Sequence, residues 1–396
     1  MKRTNHTTIL FVLICTTFVL LCTSACQTLQ SFLPTPTSPP SSTPHVLVIT
    51  ATPDPTETTA HTPTLFPTKT DAPAPTPTFT MMPSATLSPT LTNTPSASIQ
   101  HIQKVVHAFE NHVGMVTSLA WSPDGNTLVT GDGMAMIYLW DMETGYQISS
   151  IDAYAEGGGV DNLHWSAAEN RLAASVLDYK VHLWDPDSGE EILSTDEHLT
   201  RIESMDLSPD GSSIAAGDSS GILAVWDIQT GEYLFGIDGR EFFFSTNDLH
   251  WHPGGERLAW GGLDGNVWLW DLEEEFDTLE KHTSSVYALD FSPSGDRLCS
   301  GDLDNMIYIW DVEEKEVIGK FEGHSAGVTS IAWSPDGQII ATSDTAGNIF
   351  LWDPETGETI RRLTSHEGSV EEVAWSPDGR YLASAGDDGV ARVWGE

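Results

Sequence analysis

Residues 366–396 read HEGSVEEVAWSPDGRYLASAGDDGVARVWGE, and the interpretation of this stretch decides the fold. A short apolar strand ends at Trp375. Ser376-Pro377-Asp378-Gly379 follows as a turn, because proline presets one turn dihedral and glycine tolerates the left-handed one. Tyr381-Leu382-Ala383-Ser384 is a second strand. A Gly/Asp-rich turn leads into Val390–Trp394, a third strand with period-2 apolar alternation.

The same order recurs along the chain. Trp-Asp stands at 140, 184, 226, 270, 310 and 352, and Trp394-Gly395 completes a series spaced by 44, 42, 44, 40, 42 and 42 residues. Each repeat opens on a strand ending in Trp121, Trp165, Leu207, Trp251, Phe291, Trp333 or Trp375, with Ser-Pro-Asp-Gly turns at 122–125, 208–211, 334–337 and 376–379. After the Trp-Asp pair, segments such as Glu143-Thr144-Gly145 turn into a fourth, outer strand. Four short antiparallel strands per repeat make one propeller blade, so the sequence predicts an all-β, seven-bladed β-propeller of four-stranded antiparallel blades. The last repeat lacks its fourth strand, and Lys104–Phe109 (KVVHAF) is the apolar segment available to supply it. Pairing the two ends closes the ring and removes two exposed edges.

These residues resemble the WD-repeat family over about 104–396. The resemblance implies a platform for partner proteins with no catalysis and no cofactor. It also implies, in each blade, a hydrogen-bonded set of a His before the first strand, a Ser/Thr on the second, an Asp in the next turn and the Trp. His282, Ser300, Asp304 and Trp310 would form it in blade five, and His366, Ser384, Asp388 and Trp394 in blade seven. Blade one would lack the acid (Met134), as would blade six (Ala346), while blade three has Ala216 and Ser220 in place of the hydroxyl and the acid. Blades two and four depart furthest, with Glu156 and Phe242 at the His position and Trp260 at the Ser position of blade four. Such histidines and acids are expected to be structural, since buried polar groups require partners. A metal is not expected.

The 100 residues ahead of the repeats have a different character. Residues 27–100 hold 15 of the 23 prolines, 20 threonines and none of the 14 tryptophans. A segment like that cannot bury enough apolar surface to order itself, so 27–103 is expected to be a disordered, extended linker. Residues 1–26 combine Lys2 and Arg3, the apolar run Ile9–Cys22, and Thr23-Ser24-Ala25-Cys26, the pattern of an export signal. Small residues before Cys26 resemble the bacterial lipoprotein box, although Thr23 replaces its usual leucine. Three fates are open: lipid on Cys26, which is the one expected here, plain cleavage after Ala25, or retention as an anchor. Cys299 is the one cysteine left in the repeats, so an intrachain disulfide is excluded there.

Net charge is −40 for the chain, and the first 100 residues balance to zero, so the propeller carries all of it. Nucleic acid and anionic headgroups would be repelled, and a protein partner with a basic surface favoured. The expected molecule is a monomeric interaction scaffold displayed outside the cell membrane, touching that membrane only through its lipid. The alternative is a sensor or assembly lipoprotein that holds a small ligand or metal ion in the channel. For that alternative, His164, Asp206, His250 and Asp290 stand at equivalent positions of four successive first strands. Gly217-Asp218-Ser219-Ser220-Gly221 matches the hydrolase elbow in letters only, because no helix follows. The partner site is expected on the rim above blades two to four, at Tyr154, Tyr179, Arg201, Asp218, Phe243 and Phe244, where the repeat pattern fails in neighbouring blades.

Overall fold

The computed structural model describes residues 102–153, 158–166, 170–195, 198, 200–239, 245–272, 276–364 and 366–396, together with the backbone of 64–65. Seven antiparallel sheets follow one another in chain order. Blade one comprises Val116–Trp121, Thr127–Asp132, Met136–Asp141 and Gln147–Asp152. Blade two comprises Val160–Ser166, Arg171–Val176, Lys180–Trp184 and Glu191–Ser194. Blade three comprises Ile202–Leu207, Ser213–Asp218, Ile222–Asp227 and Tyr233–Asp238, and Thr64–Leu65 adds a short fifth strand. Blade four comprises Asp248–Trp251, Leu258–Gly261, Asn266–Trp270 and Phe276–Glu280. Blade five comprises Val286–Phe291, Arg297–Asp302, Ile307–Asp311 and Glu316–Phe321. Blade six comprises Val328–Trp333, Ile340–Asp344, Asn348–Trp352 and Thr359–Thr364.

Blade seven joins the two ends of the repeat region. Its first three strands are Val370–Trp375, Leu382–Gly386 and Ala391–Gly395, and its fourth is Lys104–Phe109. Lys104 lies opposite Gly395, Val105 opposite Trp394 and Phe109 opposite Ala391. The ring therefore closes as the sequence predicts. Its packing reaches slightly beyond Lys104, because Ile102 is buried beside blades six and seven and the Gln103 N–H donates to the Gly395 carbonyl.

Local chemistry explains the repeated turn. In Ser122-Pro123-Asp124-Gly125 the Ser122 hydroxyl donates to Asp124, and it accepts from the Thr127 N–H at 2.8 Å. Gly125 sits at φ +70°, in the left-handed region that penalises a Cβ. Apolar faces then pack blade on blade, as where Ile137, Leu139 and Ile151 of blade one meet Val160, Leu163 and Leu172 of blade two. Second and third strands lie between two neighbours, so Asn348–Trp352 is buried at every residue. Outer strands are wet, and only Ile151 is buried in Gln147–Asp152.

Candidate functional site: the channel mouth and its rim

The histidines form polar relays inside the blades. In blade five His282 Nδ1 lies 2.8 Å from Asp302, its Nε2 lies 2.7 Å from the Ser300 hydroxyl, and Trp310 donates to that hydroxyl at 2.7 Å. A neutral imidazole with its proton on Nδ1 satisfies every group: the carboxylate accepts, the hydroxyl donates to Nε2, and the indole N–H fills the hydroxyl lone pair. The acid is Asp302, at the end of the second strand, and not Asp304 in the turn, whose N–H donates to Asp302. Asp344 takes the same place in blade six, 2.9 Å from His324. In blade one Asp132 accepts from the N–H of Val113, next to His112. Blade six therefore does have its acid, two residues before Ala346; in blade one Asp132 stands at that place, but His112 Nδ1 meets the Phe109 carbonyl at 3.2 Å, with Nε2 2.7 Å from the Thr130 hydroxyl. Blade seven has Gly386 at that place, and His366 reaches Asp388 (3.0 Å) and Ser384 (2.8 Å), with Trp394 donating to Ser384. Blade three is incomplete. His198 meets Asp218 at 3.3 Å, but Ala216 supplies no hydroxyl, leaving His198 Nε2 and Trp226 Nε1 buried without a hydrogen-bond partner. In blade four, Trp260 is buried and stacks on Trp268, with ring centroids 6.1 Å apart.

The channel is built from the first strands. Six of them carry a one-residue bulge, seen as register breaks at Val116/Ser118, Val160/Asn162, Ile202/Ser204, Val286/Ala288, Val328/Ser330 and Val370/Glu372. A bulge re-aims the extra residue. Here the extra residues are Thr117, Asp161, Glu203, Tyr287, Thr329 and Glu371, and all six line a central cavity of about 530 Å³. Six carboxylates line it (Asp161, Glu203, Asp248, Asp290, Glu371 and Glu372), against Arg201 as the one lining arginine or lysine.

Deeper side chains stitch the blades together. Asp206 accepts from the Trp251 N–H, Asp248 from Leu289 and Asp290 from Trp333, each at 2.7 Å, and Glu372 accepts from Leu119 at 2.8 Å. Ser118 and Ser330 accept likewise from Leu163 and Val373. The row of His164, Asp206, His250 and Asp290 is thus real, with His164 3.5 Å from Asp206 and His250 3.8 Å from Asp290. Burial disfavours a charged His250, but Asp248 at 3.4 Å, together with Asp206 and Asp290, overcomes it and lifts the imidazole to about 10. Burial pushes Asp290 up to about 7 against the pull of His250, and Glu372 up to about 7 against its bonds to Ser118 and Leu119. His164 is held below its ordinary value by burial. Among the described residues no group of His, Cys, Asp and Glu is arranged to hold a metal ion.

The mouth opens on the rim shared by the segments before first strands and the turns between second and third strands. Backbone bonds such as Gly133 N–H to Met115, Ser219 to Arg201 and Leu303 to Ser285 tie these two sets of loops together. Of the 13 exposed large apolar side chains among the described residues, eight lie here: Val113, Met115, Met134, Leu177, Tyr179, Leu263, Tyr287 and Leu303. Among the described residues the opposite rim has Tyr146, and the rest are on outer strands. These eight come from blades one, two, four and five, and apolar side chains beside a polar pit on one face are the ordinary appearance of a recognition surface.

The residues expected to meet a partner divide three ways. Tyr179 is exposed on this rim, in the left-handed conformation at φ +70°. Arg201 stands half-exposed at the mouth and is held by Asp161 through two hydrogen bonds of 2.7 and 3.1 Å. Asp218 must be withdrawn: it is fully buried, accepting from His198, Ser220 and the Ile222 N–H, so it is unavailable to a partner. Tyr154, Phe243, Phe244 and Cys26 lie outside the described residues, as do Glu156 and Phe242. The exposed apolar side chains of this rim were overlooked in the sequence, where Leu177-Asp178, Leu263-Asp264 and Leu303-Asp304 put an apolar residue into a turn that elsewhere carries Gly133, Ser219, Thr345 or Asp387.

Comparison with known proteins agrees with the geometry. Residues 103–141, 189–227, 274–311, 315–353 and 357–395 match the family described as WD domain, G-beta repeat. The unmatched stretches hold the first three strands of blades two and four, the blades in which Ala174 and Trp260 replace the Ser/Thr of the relay. The human (Homo sapiens) angio-associated migratory cell protein is 31% identical over 75 residues, 19% of this chain and 16% of that protein. WD repeat-containing protein 1 of Gallus gallus is 30% identical over 98 residues, 24% of this chain and 16% of that protein. The matches thus span about a sixth of these relatives' length. Seven four-stranded blades closed by the N-terminal strand, with five matching repeats, make this chain a member of the WD-repeat β-propeller family.

Proposed function

We propose that this protein is a non-catalytic scaffold that captures a partner protein on the channel-mouth rim. The observation that carries this reading is the concentration of exposed apolar side chains beside a carboxylate-lined mouth. The histidines before the first strands of blades one, three, five, six and seven are held by hydrogen bonds inside their blades and Ser220 donates to Asp218, so none of these groups is offered as a base or nucleophile. A partner with basic residues flanking an apolar patch complements the acidic pit and the apolar side chains together. The propeller is read as lying outside the cell membrane, held by lipid on Cys26 through the Pro/Thr-rich segment. The export-signal pattern of residues 1–26 supports that placement. The channel, about 530 Å³ in volume, supports a second reading, in which a small cationic ligand binds there and the protein is a sensor.

Changing Leu263 and Leu303 to Ser tests the first reading, because both are exposed and contribute little to the core. The variant should melt within about 1 °C of the parent, since surface substitutions cost under ~0.5 kcal/mol. It should lose at least tenfold in capture of the protein crosslinked to the unaltered chain in its native cell. Undiminished capture would move the site off this rim. A melting temperature raised by one small cation, with no protein captured, would favour the second reading.

A further inference from the structure

Each blade ends in an outer strand whose far edge offers unpaired N–H and C=O groups, and natural sheets guard such edges with charge, proline or cover. Five of the other outer strands carry charge; blade one, QISSID, has none until Asp152 but is polar and has no glycine, and blade five has Gly319 but is charged. Blade one carries Gln147, Ser149 and Ser150; blade two Glu191; blade four Asp277 and Glu280. Blade five carries Glu316 and Lys320, blade six Arg361 and Arg362, and blade seven Lys104 and His107. Blade three reads YLFGID over Tyr233–Asp238, with no charge until its last residue. Gly236 stands where the other blades place Ser150, Thr278, Lys320, Arg362 or Ala108, so this residue contributes no side chain of its own to the middle of the edge.

Among the described residues, blade three is also the one blade with a fifth strand. Thr64–Leu65 pairs antiparallel with the outer strand, Thr64 opposite Asp238 and Leu65 opposite Ile237. The sequence around that pair suits strand addition and limits its length. Leu65 and Phe66 are the only large apolar residues between Ala51 and Thr78, and Pro63 and Pro67 bracket them. Proline lacks the N–H that a ladder needs, so a strand seeded at Thr64–Leu65 stops at both ends.

We infer that the outer edge of blade three is a strand-addition site, and that its occupant is this chain's own Pro/Thr-rich segment at Thr64–Leu65. Backbone pairing supplies the binding, and the uncharged, glycine-bearing edge supplies the choice of blade three over the other six. The consequence is topological. The chain is then held at two points, Leu65 on blade three and Ile102 beside blades six and seven, with residues 66–101 between them in sequence. Those 36 residues reach at most ~110 Å at ~3.1 Å each, ample for a domain whose radius of gyration is about 19 Å. This inference stands apart from the rim reading, since neither needs the other.

Hydrogen–deuterium exchange of the full chain tests it. Tyr233–Asp238 should exchange at least tenfold more slowly than Glu316–Phe321 of blade five, and Leu65→Pro should abolish most of that difference without moving the melting temperature. A photo-crosslinking phenylalanine analogue at position 66 should attach to the peptide containing 233–238. Equal exchange of the two outer strands in the unaltered chain would overturn the inference. So would protection that survives Leu65→Pro, or a crosslink that maps to another blade.

Discussion

Ala216→Ser should stabilise the propeller, because blade three holds a polar relay with its central member missing. In blades five and six a hydroxyl sits 2.7 and 2.6 Å from the imidazole Nε2, and accepts from the indole at 2.7 Å in both. In blade three the rings already stand in place, His198 and Trp226 having centroids 5.1 Å apart, yet both nitrogens face Ala216 without a partner. A buried polar group left unpaired costs about 1–3 kcal/mol. A serine hydroxyl can satisfy both nitrogens at once, and burying the hydroxyl offsets part of the gain, so a net of about 1–3 kcal/mol is expected. For about 290 folded residues the unfolding entropy is near 0.6 kcal/mol/K, which makes the shift about 2–5 °C in Tm. Calorimetric melting of the parent, Ala216→Ser and Ala216→Val reads the effect, the valine adding bulk without a hydroxyl. If serine gained no more than valine, the relay would carry no stabilising role, and the reasoning about blade three would fail.

Three further outcomes follow from the geometry. Glu372 is lifted by burial to about 7, above its unfolded value, so it contributes stability below pH 4.5 that is lost as pH rises through 7. Glu372→Gln keeps an acceptor for Leu119 and cannot ionise; its unfolding free energy minus that of the parent should therefore grow between pH 4.5 and 7, by about 1–3 kcal/mol after screening by channel water. A difference that does not vary with pH would refute this. Deleting residues 102–109 opens the edge of Ala391–Gly395 and removes buried Ile102 and Phe109, so soluble yield should collapse or Tm fall by more than 10 °C, and an unchanged melt would disprove closure by that strand. Cys26→Ala should move the protein from the membrane fraction to the soluble one; persistence in the membrane would assign the anchoring to Ile9–Cys22.

The blades were legible in the sequence because their information is local. Turn residues, period-2 alternation and the Trp-Asp spacing each act over a few residues, and seven copies reinforce one another. Closure by Lys104–Phe109 was legible for a different reason: one strand was missing and one apolar segment was unassigned. The relay acid was misread, since Asp302 and Asp304 are equally placed by spacing, and only the direction of the side chains separates them. Asp218 was misread in the same way, as an exposed turn residue, when the relay draws it fully inside.

What the sequence determined by itself is the repeat, the number of blades and the segregation of the Pro/Thr-rich segment from the tryptophan-rich ring. Only the tertiary structure decided what faces the axis. A one-residue bulge leaves no mark on composition or spacing, yet it turns Asp161, Glu203, Tyr287 and Glu371 into the mouth and makes six carboxylates neighbours. The apolar side chains of the rim needed the ring as well, because Met134, Leu177, Leu263 and Leu303 are far apart in the chain and become one rim when seven similar turns are set around a common axis. Proximity across a closed ring is a long-range property, and no local pattern encodes it.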